Sequence, residues 1–424
     1  MISPPTFIDL FAGCGGFSLG LMQAGWQGLF AIERHPTAFL TLEHNLLKKS
    51  DGPEQFRYNW PDWLPKEPHD IAKFVRRFKG ELLNLRGKVD LVCGGPPCQG
   101  FSIAGLRLHD DPRNGLFRFQ LAAVKLLQPK FVLLENVMGI SYPLGNNKVV
   151  SQEIRAGFEK LKYRVEQHKI VASDYGVPQL RPRYYTIAIH PDYSQASATV
   201  FDLFKERRKK YLEEIGIGTG QVSVKEAIGD LRTKGRKRIQ CVDPYSFKGF
   251  EELKYRGPKT PYQELMNEGF AGCQPNSMRL VNHTPVTIER YQNLHNSYRK
   301  GVGLSLEDRE RLGIKKHSVT VLKPDEPSKT LTTIPDDLIH FSEPRVHTVR
   351  EHARLQSFPD WFSFQGKFTT GGPMRVHDCP RYTQVGNAVP PLVSRAIGET
   401  ISEYLYLQGK VQPVRRQPIW DHWH

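Results

Sequence analysis

The sequence lacks the features that would suit a secreted or membrane protein. Its six cysteines in 424 residues form neither a CxxC pair nor a regular ladder of spacings. This argues against a disulfide framework and indicates reduced thiols in an intracellular protein. No apolar run approaches the ~20 residues that a helix needs to cross a bilayer. The first residues, 1–6, also lack the basic and then apolar pattern of a signal peptide. We therefore expect a cytoplasmic protein with no membrane partner.

Acidic residues are in deficit, and internal repeats and low-complexity tracts are missing. The chain carries 59 Lys and Arg against 44 Asp and Glu, a formal net charge of +15. This balance favours a polyanionic partner, nucleic acid first, and a basic but solvated surface is the alternative. With 39% hydrophobic and 24% charged residues, the composition is typical of a globular protein. The length predicts two domains.

The first 190 residues alternate apolar runs with amphipathic stretches, which predicts a doubly wound α/β sheet. The β-rich stretches at 165–172 and 184–189 are predicted to form an antiparallel edge of that sheet. The other predicted strands are 7–11, 29–32, 89–93 and 131–134, and the predicted helices are 17–23, 37–47, 71–78 and 116–127.

The periodicity weakens after His190. Residues 191–325 hold 24 Lys and Arg against 17 Asp and Glu, including the run RTKGRKR at 232–238. A basic, irregular region of this kind suits a nucleic-acid groove, although a charge run alone is more often a solvated face. Regular patterning returns after Pro327 and ends in a helix predicted over 392–407.

The segment Phe7 to Gly16, FIDLFAGCGG, leads from a predicted strand through a G-x-G-G turn into a helix. Ser18 stands where the dinucleotide fingerprint has its last glycine. Glycines at such a turn allow the backbone to approach a ligand closely. Glu33 ends the next predicted strand, where an acidic side chain can accept hydrogen bonds from ribose hydroxyls. These features predict a nucleoside cofactor, with an ordinary strand–helix connection as the alternative.

The segment Gly94-Gly95-Pro96-Pro97-Cys98-Gln99 follows the third predicted strand. The two prolines fix φ and carry no N–H, so they form a stiff, non-helical turn. Ligands of open α/β sheets bind in the crevice outside the carboxyl ends of the strands. The turn therefore places the Cys98 thiol at that crevice; a structural cysteine after a tight turn is the alternative.

Eight motifs, taken in order along the chain, resemble those of the bacterial and phage DNA cytosine-C5 methyltransferases. The resemblance covers nearly all of the chain outside residues 191–325. The motifs are the FAGCGG turn, Glu33, Asp70-Ile71, GGPPCQGFS, Glu135-Asn136-Val137, Gln179-x-Arg181-x-Arg183, REHARLQSFP at 350–359 and QVGNAVPP at 384–391.

The resemblance implies a Rossmann-like domain that binds S-adenosylmethionine, formed by residues 1–190 and completed by 383–410. It implies a smaller, irregular target-recognition domain at 191–325 and a hinge and return segment at 326–382, followed by a peripheral tail at 411–424. The implied activity is that of a DNA (cytosine-5-)-methyltransferase, which methylates C5 of a cytosine in a specific short double-stranded DNA sequence. S-adenosylhomocysteine is the second product.

The same resemblance assigns the catalytic residues. Cys98 matches the nucleophile, which adds to C6 of the cytosine and makes C5 reactive. Glu135 would hold N3 and the exocyclic amine of the base, and Arg183 would contact O2. Arg181 would fix the thiol loop or a phosphate. Residues 100–115 would form a loop that closes over a base rotated out of the duplex.

The resemblance also implies a cofactor site. Phe11 would stack on adenine, Glu33 would hold the ribose, and Asp70 and Ile71 would meet the adenine edge. Ala388 stands where the family often has Ser, which removes one hydroxyl contact. The full set of expected cofactor-binding residues is Phe11, Ala12, Gly13, Gly15, Gly16, Glu33, Asp70, Ile71, Pro97, Leu116, Asn387 and Val389.

We predict no metal site, because His377-Asp378-Cys379 are adjacent and adjacent residues rarely bind one ion together. We expect a monomer that acts in a bacterial cell or a phage-infected host as the protective half of a restriction–modification system, with a restriction endonuclease as its counterpart. The alternatives are a tRNA methylase of the same chemistry, a catalytically inactive nucleic-acid-binding regulator, and a nicotinamide dehydrogenase, which the G-x-G-G spacing opposes.

Overall fold

The computed structural model describes residues 3–48, 52–97, 115–143, 149–195, 198–314, 318–369 and 377–409. Its strands are β1 (Thr6–Leu10), β2 (Gln27–Ile32), β3 (Leu91–Gly94), β4 (Phe131–Val137), β5 (Arg164–Val171), β6 (Gln179–Leu180), β7 (Pro182–Ile189), β8 (Arg238–Gln240), β9 (Glu251–Leu253), β10 (Thr320–Val321), β11 (Ser328–Lys329) and β12 (Leu338–Ile339).

The α-helices follow the same chain order. They are α1 (Gly16–Gln23), α2 (Pro36–Leu46), α3 (Ile71–Arg77), α4 (Lys79–Asn84), α5 (Phe117–Leu127), α6 (Val150–Lys160), α7 (Val200–Glu206), α8 (Arg208–Glu214), α9 (Val224–Ile228), α10 (Pro261–Asn267), α11 (Pro285–Ser297), α12 (Leu306–Arg311), α13 (Val349–Leu355), α14 (Arg381–Asn387) and α15 (Pro391–Leu407). None of these helices is long and apolar enough to cross a membrane.

A six-stranded sheet with the order β2-β1-β3-β4-β7-β5 lies at the centre. The first four strands in this order run parallel. Strand β7 runs in the opposite direction, since it is antiparallel to both of its neighbours, β4 and β5. The carboxyl ends of β1, β2, β3 and β4 therefore meet at one edge, together with the start of β7.

Both faces of the sheet are covered, as expected for a doubly wound fold. Alternation along each strand divides the core, since Phe7 and Leu133 face one hydrophobic cluster while Ile8 and Leu134 face the other. Helices α1 and α15 cover the first face, and α3, α5 and α6 cover the second.

The predicted strands and helices of the first 190 residues are confirmed to within a few residues, as is the antiparallel edge. One detail was wrong. The strand predicted over 131–134 is longer, because the pairing of β4 with β7 extends to Val137 opposite Arg183. The helix predicted at the carboxyl terminus is confirmed as α15.

Residues 191–325 do not all stand apart from the sheet. Phe204 of α7 and Leu212 of α8 belong to the same core cluster as α15, and the hydroxyl of Tyr211 donates to the carbonyl of Leu392 at 2.7 Å. Further along, β8 and β9 form a separate antiparallel hairpin. The domain boundaries themselves stay predictions.

Candidate active site

The turn after β1 is held against the end of β2. The backbone N–H groups of Phe11 and Ala12 both donate to the carbonyl of Ile32, at 2.9 and 3.0 Å. Phe11 has a φ of 72° and Gly13 a φ of 57°, so the chain turns through left-handed backbone here. A Cβ placed on Gly13 would meet no described atom within 4 Å. The turn therefore presents bare backbone to open space.

Glu33 lies directly across this turn. Its carboxylate accepts from the N–H of Gly13 at 2.9 Å and from the N–H of His35 at 2.6 Å. Burial raises the pKa of Glu33, and the two backbone donors oppose that rise. Each carboxylate oxygen has a second lone pair, so Glu33 can accept hydrogen bonds from a hydroxyl beside Gly13.

The expected adenine contacts surround the same turn. The N–H of His69 donates to the carbonyl of Glu33 at 2.8 Å, which brings the start of α3 to the end of β2. Ile71 is buried, and Phe11 and Leu116 pack against its cluster. Asp70 caps α3 by accepting from Ala72 and Lys73. The Asp70 carboxylate is therefore already engaged as the cap of α3.

The end of α14 returns to the start of α1. A Cβ on Gly16 would lie 2.5 Å from the carbonyl oxygen of Val389 and 3.3 Å from the Cβ of Ala388. Only glycine at position 16 permits this approach. Asn387 is exposed, whereas Val389 is buried. The structure thus brings residues from both ends of the chain to one turn.

The second part of the site lies where β4 meets β7. Glu135 is 8% exposed, and its Oε1 lies 3.0 Å from Nε of Arg183. No N–H of a described residue is aimed at this oxygen well enough for a hydrogen bond. The ion pair therefore holds the carboxyl group in place and leaves its oxygen able to bond another group.

Arg181 lies buried beside this pair. Burial and the neighbouring Arg183 lower the pKa of Arg181 to about 9, against the opposing effect of Glu135. Among the described residues, nothing accepts a hydrogen bond from its Nε or Nη1. The side chain of Gln179 points away from this pair. Its amide oxygen accepts from the N–H of Leu331, and its amide nitrogen donates to the carbonyl of Leu355. These bonds tie β6 to the return segment, residues 326–382.

The turn that leads to Cys98 passes close to Glu135. A Cβ on Gly95 would lie 3.3 Å from Oε2 of Glu135, and the amide of Asn136 donates to the carbonyl of Pro96 at 3.1 Å. Pro97 is half-buried. Cys98 and most of the 100–115 loop lie outside the described residues, so their predicted roles stay predictions.

Sequence reasoning missed a buried chain of hydroxyl groups next to the turn after β1, residues 11–16, which we call the cofactor turn because the cofactor is predicted to bind there. The hydroxyl of Tyr58 donates to Ser18, and Ser18 donates to Asp9, each at 2.5 Å. Burial raises the pKa of Asp9 to about 7. Ser18 was noted only as a departure from the dinucleotide fingerprint. Its role here is to link β1 to α1.

The chain matches a sequence profile described as C-5 cytosine-specific DNA methylase over residues 5–403. It is 33% identical to the Type II methyltransferase M.DdeI of Desulfomicrobium norvegicum over 94% of this chain and 89% of that protein. It is 31% identical to the Type II methyltransferase M1.HphI of Haemophilus parahaemolyticus over 93% of this chain and 86% of that protein.

A solved structure shares the same arrangement. It is that of a putative DNA modification methyltransferase encoded within a prophage of E. coli, with 26% identity and a TM-score of 0.65 over 95% of this chain and 99% of the other. Similarity in sequence and in fold therefore extends along nearly the whole chain.

Proposed function

The chain belongs to the C-5 cytosine-specific DNA methylase family, and from that membership we propose how its residues divide the reaction. The protein is a DNA (cytosine-5-)-methyltransferase that uses S-adenosylmethionine. The observation that carries our assignment of residues is the Glu135–Arg183 pair at the sheet edge, next to Gly95 of the turn that leads to Cys98.

Covalent catalysis suits this reaction because C5 of cytosine is a poor nucleophile. The Cys98 thiolate adds to C6 of the base, which makes C5 able to attack a methyl group. A free cysteine has a pKa of ~8.5, so positive charge from Arg181 and Arg183 favours the thiolate. Glu135 donates a proton to N3 as negative charge develops there and accepts a hydrogen bond from the exocyclic amine, and Arg183 contacts O2. After methyl transfer, C5 loses its proton to water, N3 returns its proton to Glu135 and the Cys98 thiolate leaves C6, which restores the C5–C6 double bond. A base inside a duplex cannot reach this edge, so it is rotated out of the stack.

The turn around Gly13 fits a nucleoside sulfonium. Open space borders Gly13, Glu33 has lone pairs to accept from the ribose, and Phe11, Ile71 and Leu116 supply apolar surface for adenine. Ala12, Gly15, Gly16, Pro97, Asn387 and Val389 complete the proposed set, and Asp70 contributes through its backbone. When bound, S-adenosylmethionine supplies the methyl group.

The expected target-recognition domain, residues 191–325, would hold the duplex. Residues 191–325 carry a net positive charge, with 24 basic against 17 acidic side chains, and phosphate contacts from Lys and Arg position a protein on DNA. Both Type II relatives support a protective role within a restriction–modification system. We propose a cognate endonuclease for the same site, a monomeric enzyme and a cytoplasmic location.

Trapping the covalent adduct tests the catalytic assignment. Bisulfite sequencing of DNA from a host that expresses the protein first identifies the methylated site. A duplex with 5-fluorocytosine at that site should then crosslink to Cys98 in the presence of the methyl donor. Cys98→Ala should abolish the crosslink and lower methylation by at least about 10³-fold. Cys273→Ala, at an exposed cysteine, is the matched control and should crosslink normally. A crosslink that maps to another side chain would overturn the assignment.

Transfer of a tritium-labelled methyl group to duplex DNA or to tRNA separates the main alternatives. We expect label in DNA alone. Label in tRNA alone would favour the RNA methylase. Binding to DNA without any transfer would indicate an inactive regulator.

A further inference from the structure

The hairpin loop, residues 241–250 between β8 and β9, exposes apolar side chains to an unusual degree. Val242 is 84% and Phe247 is 81% exposed, more than any other large hydrophobic side chain in the described ranges. A single exposed apolar residue needs no explanation. Two of them in one short loop, at the end of a basic segment, indicate a surface that is covered when a partner binds.

The loop is firmly anchored, so its exposure does not reflect a loose chain. Asp243, next to Val242, accepts hydrogen bonds from both terminal nitrogens of Arg381 at 2.7 and 2.9 Å. That guanidinium also donates to Ser277 and lies 5.6 Å from the ring of Tyr245. Arg381 is 1% exposed. A buried bidentate pair of this kind fixes orientation as well as position.

The anchor also fixes the loop relative to the active site. Arg381 is the first residue of α14, and the residues just after that helix, Ala388 and Val389, pack against Gly16 at the cofactor turn. At 1.5 Å per residue, this helix spans only about 10 Å. One short helix therefore connects the root of the hairpin loop to the edge where the methyl donor is proposed to bind.

The surroundings of the loop are cationic. Arg232, Lys234, Lys237 and Arg238 precede it and Lys248 lies within it, all of them exposed. These groups suit phosphates, which position a protein without reading sequence. Val242 and Phe247 cannot bind phosphate. On DNA, apolar side chains contact the C5 methyl group of thymine in the major groove.

We propose that Phe247 and Val242 are specificity-determining residues that read a thymine methyl group, and hence that the recognised sequence contains at least one A·T pair. This inference rests on the proposed function, since it needs duplex DNA as the substrate. It identifies which side chains of residues 191–325 reach base edges and what they read there.

The test compares Phe247→Ala and Val242→Ala with two controls. Methylation and binding are measured on the site found by bisulfite sequencing and on every single-base variant of it. We expect either variant to lower discrimination at one A·T position by about fourfold, which is the ~0.8 kcal/mol of one buried methyl group. Lys248→Ala should weaken binding to all sequences alike. Leu407→Ala, 66% exposed at the end of α15, should change nothing.

Replacing the thymine at that position by deoxyuridine removes only the methyl group. For the wild-type protein this should lower binding as much as Phe247→Ala or Val242→Ala does. It should have no further effect on the variant whose side chain reads that methyl. The proposal is overturned if both variants keep the sequence preference of the wild-type protein. It is also overturned if deoxyuridine lowers binding by both variants as much as it lowers binding by the wild-type protein.

Selection from a random pool of DNA duplexes, with S-adenosylhomocysteine present, gives a readout that does not need catalysis. If the wild-type protein methylates no DNA, the proposed function fails, and the bound sequences still decide whether these two side chains set preference. A pool with no enriched sequence for the wild-type protein counts against the proposal.

Discussion

The central sheet and the return segment bury their residues by different means. Strands β3 and β4 bury apolar side chains, and their geometry follows from backbone pairing. Helix α13 in the return segment buries Arg350 and Arg354 completely. Arg354 donates to Asp360 at 2.6 Å and to Asp230 at 3.3 Å. Charged side chains are rarely buried unless paired, so a few specific pairs determine the position of this segment.

This difference predicts which substitutions each region can accept without unfolding. Pairing with β7 holds β4 in the sheet, so Glu135 can be replaced by Gln, whose amide oxygen can still accept from Arg183, without unfolding the chain. The return segment joins regions far apart in sequence through side chains, since Arg350 donates to the carbonyls of Asn276 and Phe362. Removing one partner of a buried pair is strongly destabilising. Changes at the sheet edge should therefore alter rate, and changes in the return segment should alter stability.

Glu135→Gln gives the largest effect that we expect on this comparison. The amide keeps the shape of the carboxyl group and loses both its negative charge and its capacity to transfer a proton. General acid–base groups contribute about 10²- to 10⁴-fold, so the methylation rate should fall by that factor while the unfolding temperature changes little. Single-turnover methylation and thermal unfolding measure the two quantities.

Glu166→Gln is the matched control. Glu166 lies on β5, is 9% exposed and pairs with Arg164 at 2.9 Å, much as Glu135 pairs with Arg183. Glu166 lies opposite Ile187 on one side of β7, whereas Glu135 lies opposite Tyr185 on the other side, so the rate per folded molecule should not change. Equal loss of rate in both variants would mean that Glu135 acts only by holding the sheet together.

The second-largest effect that we expect is a loss of stability in the return segment at acidic pH. His340, His347 and His352 are buried. Burial lowers the pKa of His347 to about 3, with Arg345 adding to the effect, and burial also lowers the pKa values of His340 and His352 well below 6.5. The unfolded chain then binds more protons than the folded one below about pH 6.5. Stability is present above that pH and is lost as pH falls through it, by about 2 kcal/mol per histidine at pH 5.

Denaturant unfolding between pH 8 and pH 5 measures this loss. His347→Leu should make the dependence of stability on pH shallower, whatever its effect on stability itself, because one titrating group has gone. His352→Leu should act in the same way. A pH dependence that neither substitution changes would place its origin outside the return segment.

The same contrast explains what the sequence could predict. Glu33 was placed correctly at the sheet edge because it follows an apolar strand, and strand periodicity is local information. The links of Ser18 to Tyr58 and of Arg354 to Asp230 join residues far apart in the chain. No local pattern encodes them. The hairpin was also missed, because β8 and β9 are each only three residues long and show no alternation.

Gly13→Ala tests the smallest effect, at the turn where the sheet edge presents bare backbone. A methyl group there would enter the open space beside Glu33, so affinity for S-adenosylmethionine should fall about tenfold, which is about 1.4 kcal/mol. Left-handed backbone at φ 57° should also destabilise the alanine variant by about 1 kcal/mol.

Gly87→Ala is the matched control, since Gly87 has a φ of 70° and equally open surroundings in the turn before β3. It should lose the same stability and keep full affinity by calorimetry. If both variants bind the cofactor equally well, the space beside Gly13 is not the cofactor site, and the sheet edge would owe its function to the Glu135 region alone.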